Sequence, residues 1–287
     1  MGPSSLLATQ GACKADGRER EGDGVRVREL ERKRGWAITV AASILKPTLL
    51  TATSRTWIDG EKIPATGGCI VVLNHISHLD PLLSAHFVYD HGRLPRYLAK
   101  SGLFRNKYLG GFLASAGQIP VERLSRNAVG AYDSAVKAVG EGECIVVYPE
   151  GTLTRDPDLW PMKGKTGAAR IALATGCPVI PVGQWGAQEV LPPYTKTPHL
   201  LPRKNIVMKA GDPVRLDDLL AQPHTPETTA QATDRIMAAI TAIVADLRGE
   251  TPPTERFDPR ASGVREVGNP AADARRPSRR PGRKRSR

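Results

Sequence analysis

Two histidines and an aspartate fall within Leu-Asn-His-Ile-Ser-His-Leu-Asp, positions 73–80, directly behind the apolar run Cys69–Val72. Three uses of this group are open. An imidazole five residues ahead of a carboxylate can share a proton with it and act as a general base. His75, His78 and Asp80 together could ligate a metal, although their spacing matches no strong zinc signature. Asp80 ahead of Pro81 also reads as the N-cap and first position of a helix, which is a purely structural use of the carboxylate.

Three more polar clusters carry chemistry-bearing residues. Pro149-Glu150-Gly151-Thr152 follows the apolar run Cys144–Tyr148. Gly-Gln-Ile-Pro-Val-Glu-Arg, 117–123, ends a short β-like run in Arg123. Met-Lys-Gly-Lys-Thr-Gly-Ala-Ala-Arg, 162–170, places Lys163 and Lys165 beside glycines at a helix start, where backbone N–H groups favour an anion. Gathered on one edge, these residues would supply a histidine, two carboxylates and several cations, which suits a base acting on a phosphate-bearing substrate. Taken singly, Glu150-Gly151 is an ordinary turn, and Arg123 and Lys165 are solvated charges.

The elements that must position these groups are legible in the apolar pattern. Short apolar runs at Cys69–Leu73, Tyr97–Lys100, Gly117–Val121, Cys144–Tyr148, Pro178–Val182 and Asn205–Ala210 predict strands. Helical spacing covers Pro81–Phe87, Asn127–Val139, Thr166–Thr175 (closed by Gly176) and Thr228–Leu247. Strands alternating with helices predict a single α/β domain with a largely parallel mixed sheet flanked by helices. In such sheets ligands bind at the carboxyl ends of the strands, where Asn74–Asp80 and Pro149–Thr152 both fall.

Composition bounds the rest. The net charge is +12, but Arg275–Arg287 holds eight Lys/Arg and no acid; setting those eight aside leaves +4. The high pI therefore describes an appendix rather than the folded part. The four cysteines, at 13, 69, 144 and 177, form no CxxC pair and read as free thiols in a reducing compartment. Trp36–Leu50 is apolar but interrupted by Thr39, Ser43, Lys46 and Pro47, so it is not a spanning helix, which needs about 20 largely apolar residues. As a helix it would line Thr39, Ser43 and Lys46 on one stripe. With Arg32, Lys33 and Arg34 before it, the segment fits either an interfacial helix on an anionic membrane or a helix packed on the domain itself.

In order along the chain, Asn-His-Ile-Ser-His-Leu-Asp (74–80), Gly-Gln-Ile-Pro-Val-Glu-Arg (117–123), Tyr-Pro-Glu-Gly-Thr (148–152) and Val-Ile-Pro-Val (179–182) resemble the four sequence blocks of the glycerolipid acyltransferases, and most nearly those of the 1-acylglycerol-3-phosphate (lysophosphatidic acid) acyltransferases. The resemblance spans about residues 36–215. It implies transfer of a fatty acyl group from acyl-CoA or acyl carrier protein to the free hydroxyl of a lysophospholipid, giving phosphatidic acid or a close relative. It implies no metal and no cofactor beyond that co-substrate. His75 and Asp80 then match the catalytic pair, and His78 falls at a variable position. Arg123 matches the arginine that holds the acceptor phosphate. Glu150, Gly151 and Thr152 match the acceptor-binding block, and Lys165 and Gly167 match the Lys-x-Gly that follows it. Two departures stand out. Tyr148 replaces the commoner phenylalanine, and Leu153 replaces the usual arginine, whose space Arg155 is placed to reach.

The expected organisation is a disordered extension at 1–34, an acyltransferase domain at 35–250 (with 35–65 a membrane-proximal helical segment preceding the sheet), and a disordered Arg-rich tail at 251–287. The expected location is the cytoplasmic face of the cell membrane, held peripherally by an anionic lipid surface. Two rivals belong to other classes: a metal-dependent phosphoesterase using His75, His78, Asp80 and Glu150, and a non-catalytic lipid- or nucleic-acid-binding protein. No motif supports nucleic acid as a partner.

Overall fold

Cys69–Leu73, five consecutive residues without solvent contact, runs through the middle of a seven-stranded sheet. The computed structural model describes residues 20–22, 25–121 and 128–264. Its first half contains β1 (Arg20–Gly22), β2 (Val25–Val27), α1 (Trp36–Ala52), β3 (Thr53–Ile58), β4 (Cys69–Leu73), α2 (Asp80–Asp90), β5 (Pro95–Lys100), α3 (Lys107–Ser115) and β6 (Ile119–Val121). The second half contains α4 (Ala128–Gly140), β7 (Cys144–Val147), α5 (Gly167–Thr175), β8 (Val179–Trp185), α6 (Ala187–Val190), β9 (Lys204–Ala210), α7 (Asp217–Leu220) and α8 (Pro226–Arg248).

The strand order is β3-β9-β8-β4-β7-β5-β6, and every neighbouring pair is parallel except β8 with β9. Both faces are covered. Ile70, Val72, Ile145 and Val147 pack with Ala135 of α4, Ala168 of α5 and Ile236 of α8. The alternate residues Cys69, Val71, Leu73 and Val146 pack with Leu49 of α1, Phe87 of α2 and Ala187 of α6. Burial on both faces is why these strands read as unbroken apolar runs rather than as alternating ones. The α/β sheet expected from the sequence is present, and β4 and β7 lie side by side with their carboxyl ends together.

The structure departs from the sequence reading at several points. The segment 35–65 is not helical throughout: α1 ends at Ala52, and Thr53–Ile58 becomes an edge strand paired in register with β9, Thr53 opposite Lys204. Its residues Thr53, Thr56, Trp57 and Ile58 are β-formers, and that preference wins once the helix stops. The helix α3 was hidden by its glycine pair. Gly110 is needed there because a Cβ would sit 2.3 Å from the Phe104 carbonyl oxygen. The cap of α3 is Asn106, whose side chain accepts from the N–H groups of Tyr108 and Leu109.

Ordered structure also runs past both ends of the expected domain. Arg28 donates to the Ile63 carbonyl, and Arg32 pairs with Glu143 at 2.9 Å. Lys163 N–H donates to the Phe257 carbonyl at 2.9 Å, and its ammonium pairs with Asp258 at 3.1 Å. Residues 28–34 and 251–264 therefore lie on the domain, against the expectation of disordered flanks. Within the extension, Arg20–Gly22 and Val25–Val27 also pair as antiparallel strands; residues 1–19 and 23–24 and the Arg275–Arg287 tail lie outside the described residues.

The polar stripe of α1 is divided, with Ser43 exposed. Lys46 reaches inward to Asp90, at 2.8 Å, while Trp36, Val40 and Ile44 are exposed. Asp90 is fully buried at the end of α2 and also accepts from Arg55 at 2.8 Å and Trp57 Nε1 at 3.1 Å, with His86 Nε2 at 3.2 Å. Burial alone would raise the Asp90 pKa; the hydrogen bonds and charges of His86 and Lys46 more than offset this and hold it well below the usual carboxylate range. The Lys46–Asp90 pair thus fastens α1 to the end of α2, beside the core contact of Leu49.

Candidate active site

The chain leaves β4 at Leu73 and reaches α2 at Asp80, and the intervening loop is fixed from both sides. Asn74 and Gln184 grip each other through three bonds. Asn74 Nδ2 donates to the Gln184 carbonyl, Gln184 N–H to Asn74 Oδ1, and Gln184 Nε2 to the Asn74 carbonyl, at 2.7–3.0 Å. Both residues are fully buried. This bracket ties the end of β4 to β8 immediately before His75.

Asp80 does not cap α2. Its side chain makes no bond to the helix's first amides; instead Oδ2 accepts from Ile76 N–H at 2.6 Å, Ser77 N–H at 2.8 Å and His75 Nδ1 at 2.8 Å. The capping reading is thus corrected. The carboxylate is wholly buried and organises the loop behind it, whereas the His75 side chain keeps 15% exposure. Because Nδ1–H is donated to Asp80, Nε2 is the imidazole nitrogen left to act as a base.

His75 lines a cavity of about 740 Å³ at the carboxyl ends of β4 and β7. Tyr148 forms its floor, stacked on the imidazole with ring centres 4.4 Å apart and planes 28° apart. The Tyr148 hydroxyl shares a hydrogen bond of 2.7 Å with Ser84 of α2, and Ser84 shares another of 2.7 Å with the Tyr97 hydroxyl. Burial raises the pKa of both phenols, so they remain neutral.

After β7 the chain turns at Gly151, whose φ of 73° is left-handed and whose N–H donates to the Tyr148 carbonyl at 2.9 Å. The Lys165 side chain passes directly over this glycine, within 3.0–3.3 Å of where a Cβ would stand. Lys165, Gly167, Thr152 and His78 line the same cavity as His75.

Glu150 behaves differently from the expectation that it meets an acceptor. It is 1% exposed and does not line this cavity; it borders a neighbouring one of about 430 Å³. Its Oε1 accepts from His75 N–H at 2.8 Å and its Oε2 from Met162 N–H at 3.1 Å. The carboxylate holds the His75 backbone in place. Burial pushes the Glu150 pKa up to about 8 against the opposing pull of the two amides.

The residues singled out in the sequence are therefore largely convergent. Asp80 and Glu150 sit behind His75 as supports, and Arg123 lies outside the described residues. Leu153 is buried, and Arg155 stacks on the ring of Tyr194, 4.8 Å away, on the cavity wall. Among the described residues no group of three or more His, Cys, Asp or Glu could hold a metal ion. Gln184, Ser84 and Tyr194 were missed. Only Gln184 leaves a trace in the sequence: it is an amide inside the apolar run Val182–Trp185, a place where a polar side chain must find a buried partner.

Comparison with known proteins identifies a family for the central part of the chain. The acyltransferase family model matches residues 55–185, which hold the His75–Asp80 pair and the Gly151 turn. Residues 55–185 are an acyltransferase-family domain. A 1-acyl-sn-glycerol-3-phosphate acyltransferase of Borreliella burgdorferi is 37% identical over 140 residues, 48% of this chain and 54% of that protein. The enzyme of the same name from Bacillus subtilis is 30% identical over 129 residues, 44% of this chain and 60% of its own length. A chloroplastic relative from Brassica napus, BAT2, is 30% identical over 141 residues, 48% of this chain and 39% of that protein. The chain thus spans about two fifths to three fifths of these acyltransferases. The acyltransferase fold recurs in the crystal structure of the 1-acyl-sn-glycerophosphate acyltransferase PlsC from Thermotoga maritima, with a TM-score of 0.55 and 23% identity over 78% of this chain and 86% of that one.

Proposed function

We propose that the protein transfers a fatty acyl group from a thioester donor, acyl-CoA or acyl carrier protein, to the free hydroxyl of 1-acyl-sn-glycerol 3-phosphate. The observation that carries this reading is the bond between His75 Nδ1 and Asp80 Oδ2, 2.8 Å long, on the wall of the cavity that Lys165 also lines. His75 Nε2 takes the hydroxyl proton as the oxygen attacks the thioester carbonyl. Asp80 stabilises the imidazolium that forms, and the same proton then passes to the departing thiolate. Thiolate is a good leaving group, so the reaction needs no covalent acyl-enzyme. The Gly151 N–H is already bonded to the Tyr148 carbonyl, so the oxyanion is stabilised by another donor. Lys165, with Arg123, holds the acceptor phosphate and keeps the hydroxyl near attack geometry.

A second, apolar cavity of about 430 Å³ lies between α1, α2, α3 and β5, bordered by Leu45, Leu82, Leu103 and Phe112. Tyr97 borders both cavities, so a chain bound in the apolar one would present its carboxyl end toward His75. No helix among the described residues is long and apolar enough to cross a membrane. In this reading the enzyme reaches a bilayer substrate by surface docking on the cytoplasmic side. The exposed Trp36, Val40 and Ile44 stripe of α1, led by Lys33 and Arg34, supplies that contact.

The test is thiol release from acyl-CoA and acyl carrier protein across a panel of lysolipid acceptors, with products identified by mass spectrometry. Acceptor-dependent thiol release that yields phosphatidic acid supports the reading. Release of inorganic phosphate from the acceptor without thiol release would replace it with the phosphoesterase.

A further inference from the structure

Two stretches that lie far apart in the chain, and carry no acid, meet at one edge of the molecule. No Asp or Glu occurs from Arg32 to Ile58, nor from Val190 to Gly211. The first stretch holds α1 and β3; the second holds the loop that leads into β9. Arg203 joins them, donating from Nη2 to the carbonyls of Leu50 and Thr53, the latter at 2.7 Å. Thr53 in turn lies opposite Lys204 in the β3–β9 register. The loop tip is thereby held against the C-terminal end of α1.

The tip is apolar and bare. Leu201 is 88% exposed and Leu200 47%. A single exposed leucine means little. Here two adjacent leucines stand on the loop that Arg203 fastens to the C-terminal end of α1, the helix that exposes Trp36, Val40 and Ile44 and is about 25 Å long at 1.5 Å per residue. Lys196, Arg203 and Lys204 flank the tip, and no carboxylate from either stretch opposes them. Exposed leucines with cations on either side in the sequence complement an anionic lipid surface, where apolar side chains enter the acyl boundary and cations meet the head groups. The other end of the loop is Tyr194–Lys196, which lines the His75 cavity.

We propose that the Leu200–Leu201 tip is a second lipid-contacting element. It enters an anionic bilayer beside α1 and turns the mouth of the His75 cavity toward the lipid. This assignment rests on the membrane-docked acyltransferase reading above, and it adds a fixed orientation that one surface helix cannot give. A lone helix leaves the domain free to roll about its axis, whereas two contacts bridged by Arg203 do not.

The experiment compares the full chain with Leu200→Asp/Leu201→Asp and with Leu201→Trp. Each is floated with phosphatidylcholine vesicles and with vesicles that also contain phosphatidic acid. Thiol release is measured in parallel with a short-chain, water-soluble donor and acceptor. The double aspartate variant is expected to bind the anionic vesicles about tenfold more weakly or worse, because two apolar contacts are replaced by charges. It should release thiol from soluble substrates like the parent. Leu201→Trp is expected to bind at least as tightly, with blue-shifted emission on anionic vesicles, since tryptophan favours the interface. Unchanged flotation of the double variant, with normal thiol release, removes the loop contact and leaves acyl transfer standing. Weakened flotation with no thiol release from any of the three proteins leaves the loop contact standing and removes acyl transfer. A change from dimer to monomer in sedimentation, without change in flotation, assigns the tip to self-association and overturns the proposal.

Discussion

The carboxylate of Asp80 turns back from the helix it begins and accepts from His75 Nδ1 at 2.8 Å on the same oxygen that receives the Ile76 and Ser77 N–H groups. One oxygen thus fixes the loop, the ring orientation and the tautomer together. Asparagine can present a carbonyl oxygen to the same three donors, but without the charge that stabilises an imidazolium. Asp80→Asn is therefore expected to fold and to lose turnover by about 10²-fold or more, close to His75→Ala, for which removal of a general base costs about 10²–10⁴-fold. Asp80→Ala should also lose stability, because it strands two buried backbone donors at about 1–3 kcal/mol each. Thermal melts beside kcat for the three variants check this; an Asp80→Asn enzyme within threefold of the parent ends the proposed role.

Tyr148 separates the use of a ring from the use of a hydroxyl. Its ring stacks on His75 and its hydroxyl bonds Ser84, which keeps Tyr97 as a partner if that bond is lost. Tyr148→Phe should cost about 1 kcal/mol in stability and leave kcat within a few-fold. Tyr148→Leu removes the surface that holds the imidazole and should lower kcat by about tenfold or more through misplacement of the base. A large loss of kcat in Tyr148→Phe would give the hydroxyl a part in the chemistry.

What the sequence made legible here follows from the range of the interactions. The strands β4 and β7 were readable because burial on both faces leaves only apolar residues, and the loops after them were readable because polar residues interrupt such runs abruptly. His75 and Asp80 are five residues apart, so one local turn brings them together. The supports were not readable in this way. Gln184 reaches Asn74 across 110 residues and Ser84 reaches Tyr148 across 64, and neither pairing leaves a local signature. The inward reach of Lys46 was not readable for the same reason: its partner Asp90 lies 44 residues away.

That buried pairing makes Asp90 a test of how α1 is held. Asp90→Ala leaves Lys46, Arg55 and Trp57 Nε1 without their acceptor and should cost about 3–5 kcal/mol, as breaking a buried ion pair does. Hydrogen exchange should rise first in α1 and the end of α2. The pH dependence has a defined sign. The folded pKa lies below the unfolded one, so the stabilisation is present above about pH 4 and is lost as pH falls through the folded value. The parent should therefore lose stability in acid more steeply than Asp90→Asn. Equal acid sensitivity of the two proteins would remove Asp90 as the clamp.

Glu150 carries the opposite sign in a different window. Burial raises its folded pKa to about 8 from an ordinary value near 4.5, so the native protein holds a proton that the unfolded chain gives up between these values. Stability from this group is complete below about pH 4.5 and is lost as pH rises toward 8. His91, whose pKa burial lowers, works against that trend below its ordinary 6.5, so a single melting curve against pH mixes the two. The difference between the parent and Glu150→Gln isolates the carboxyl, because His91 is common to both. Glutamine can still accept one backbone N–H but cannot ionise, so the parent should lose stability relative to Glu150→Gln by more than about 1 kcal/mol between pH 5 and 8. Denaturant midpoints at half-unit steps measure it. Since Glu150 Oε1 holds the His75 backbone, any effect of this ionisation on the kcat of the parent relative to Glu150→Gln should appear only as pH rises through about 8, where the native carboxyl titrates; a flat difference in stability between pH 5 and 8 would mean that the native carboxyl is ionised throughout.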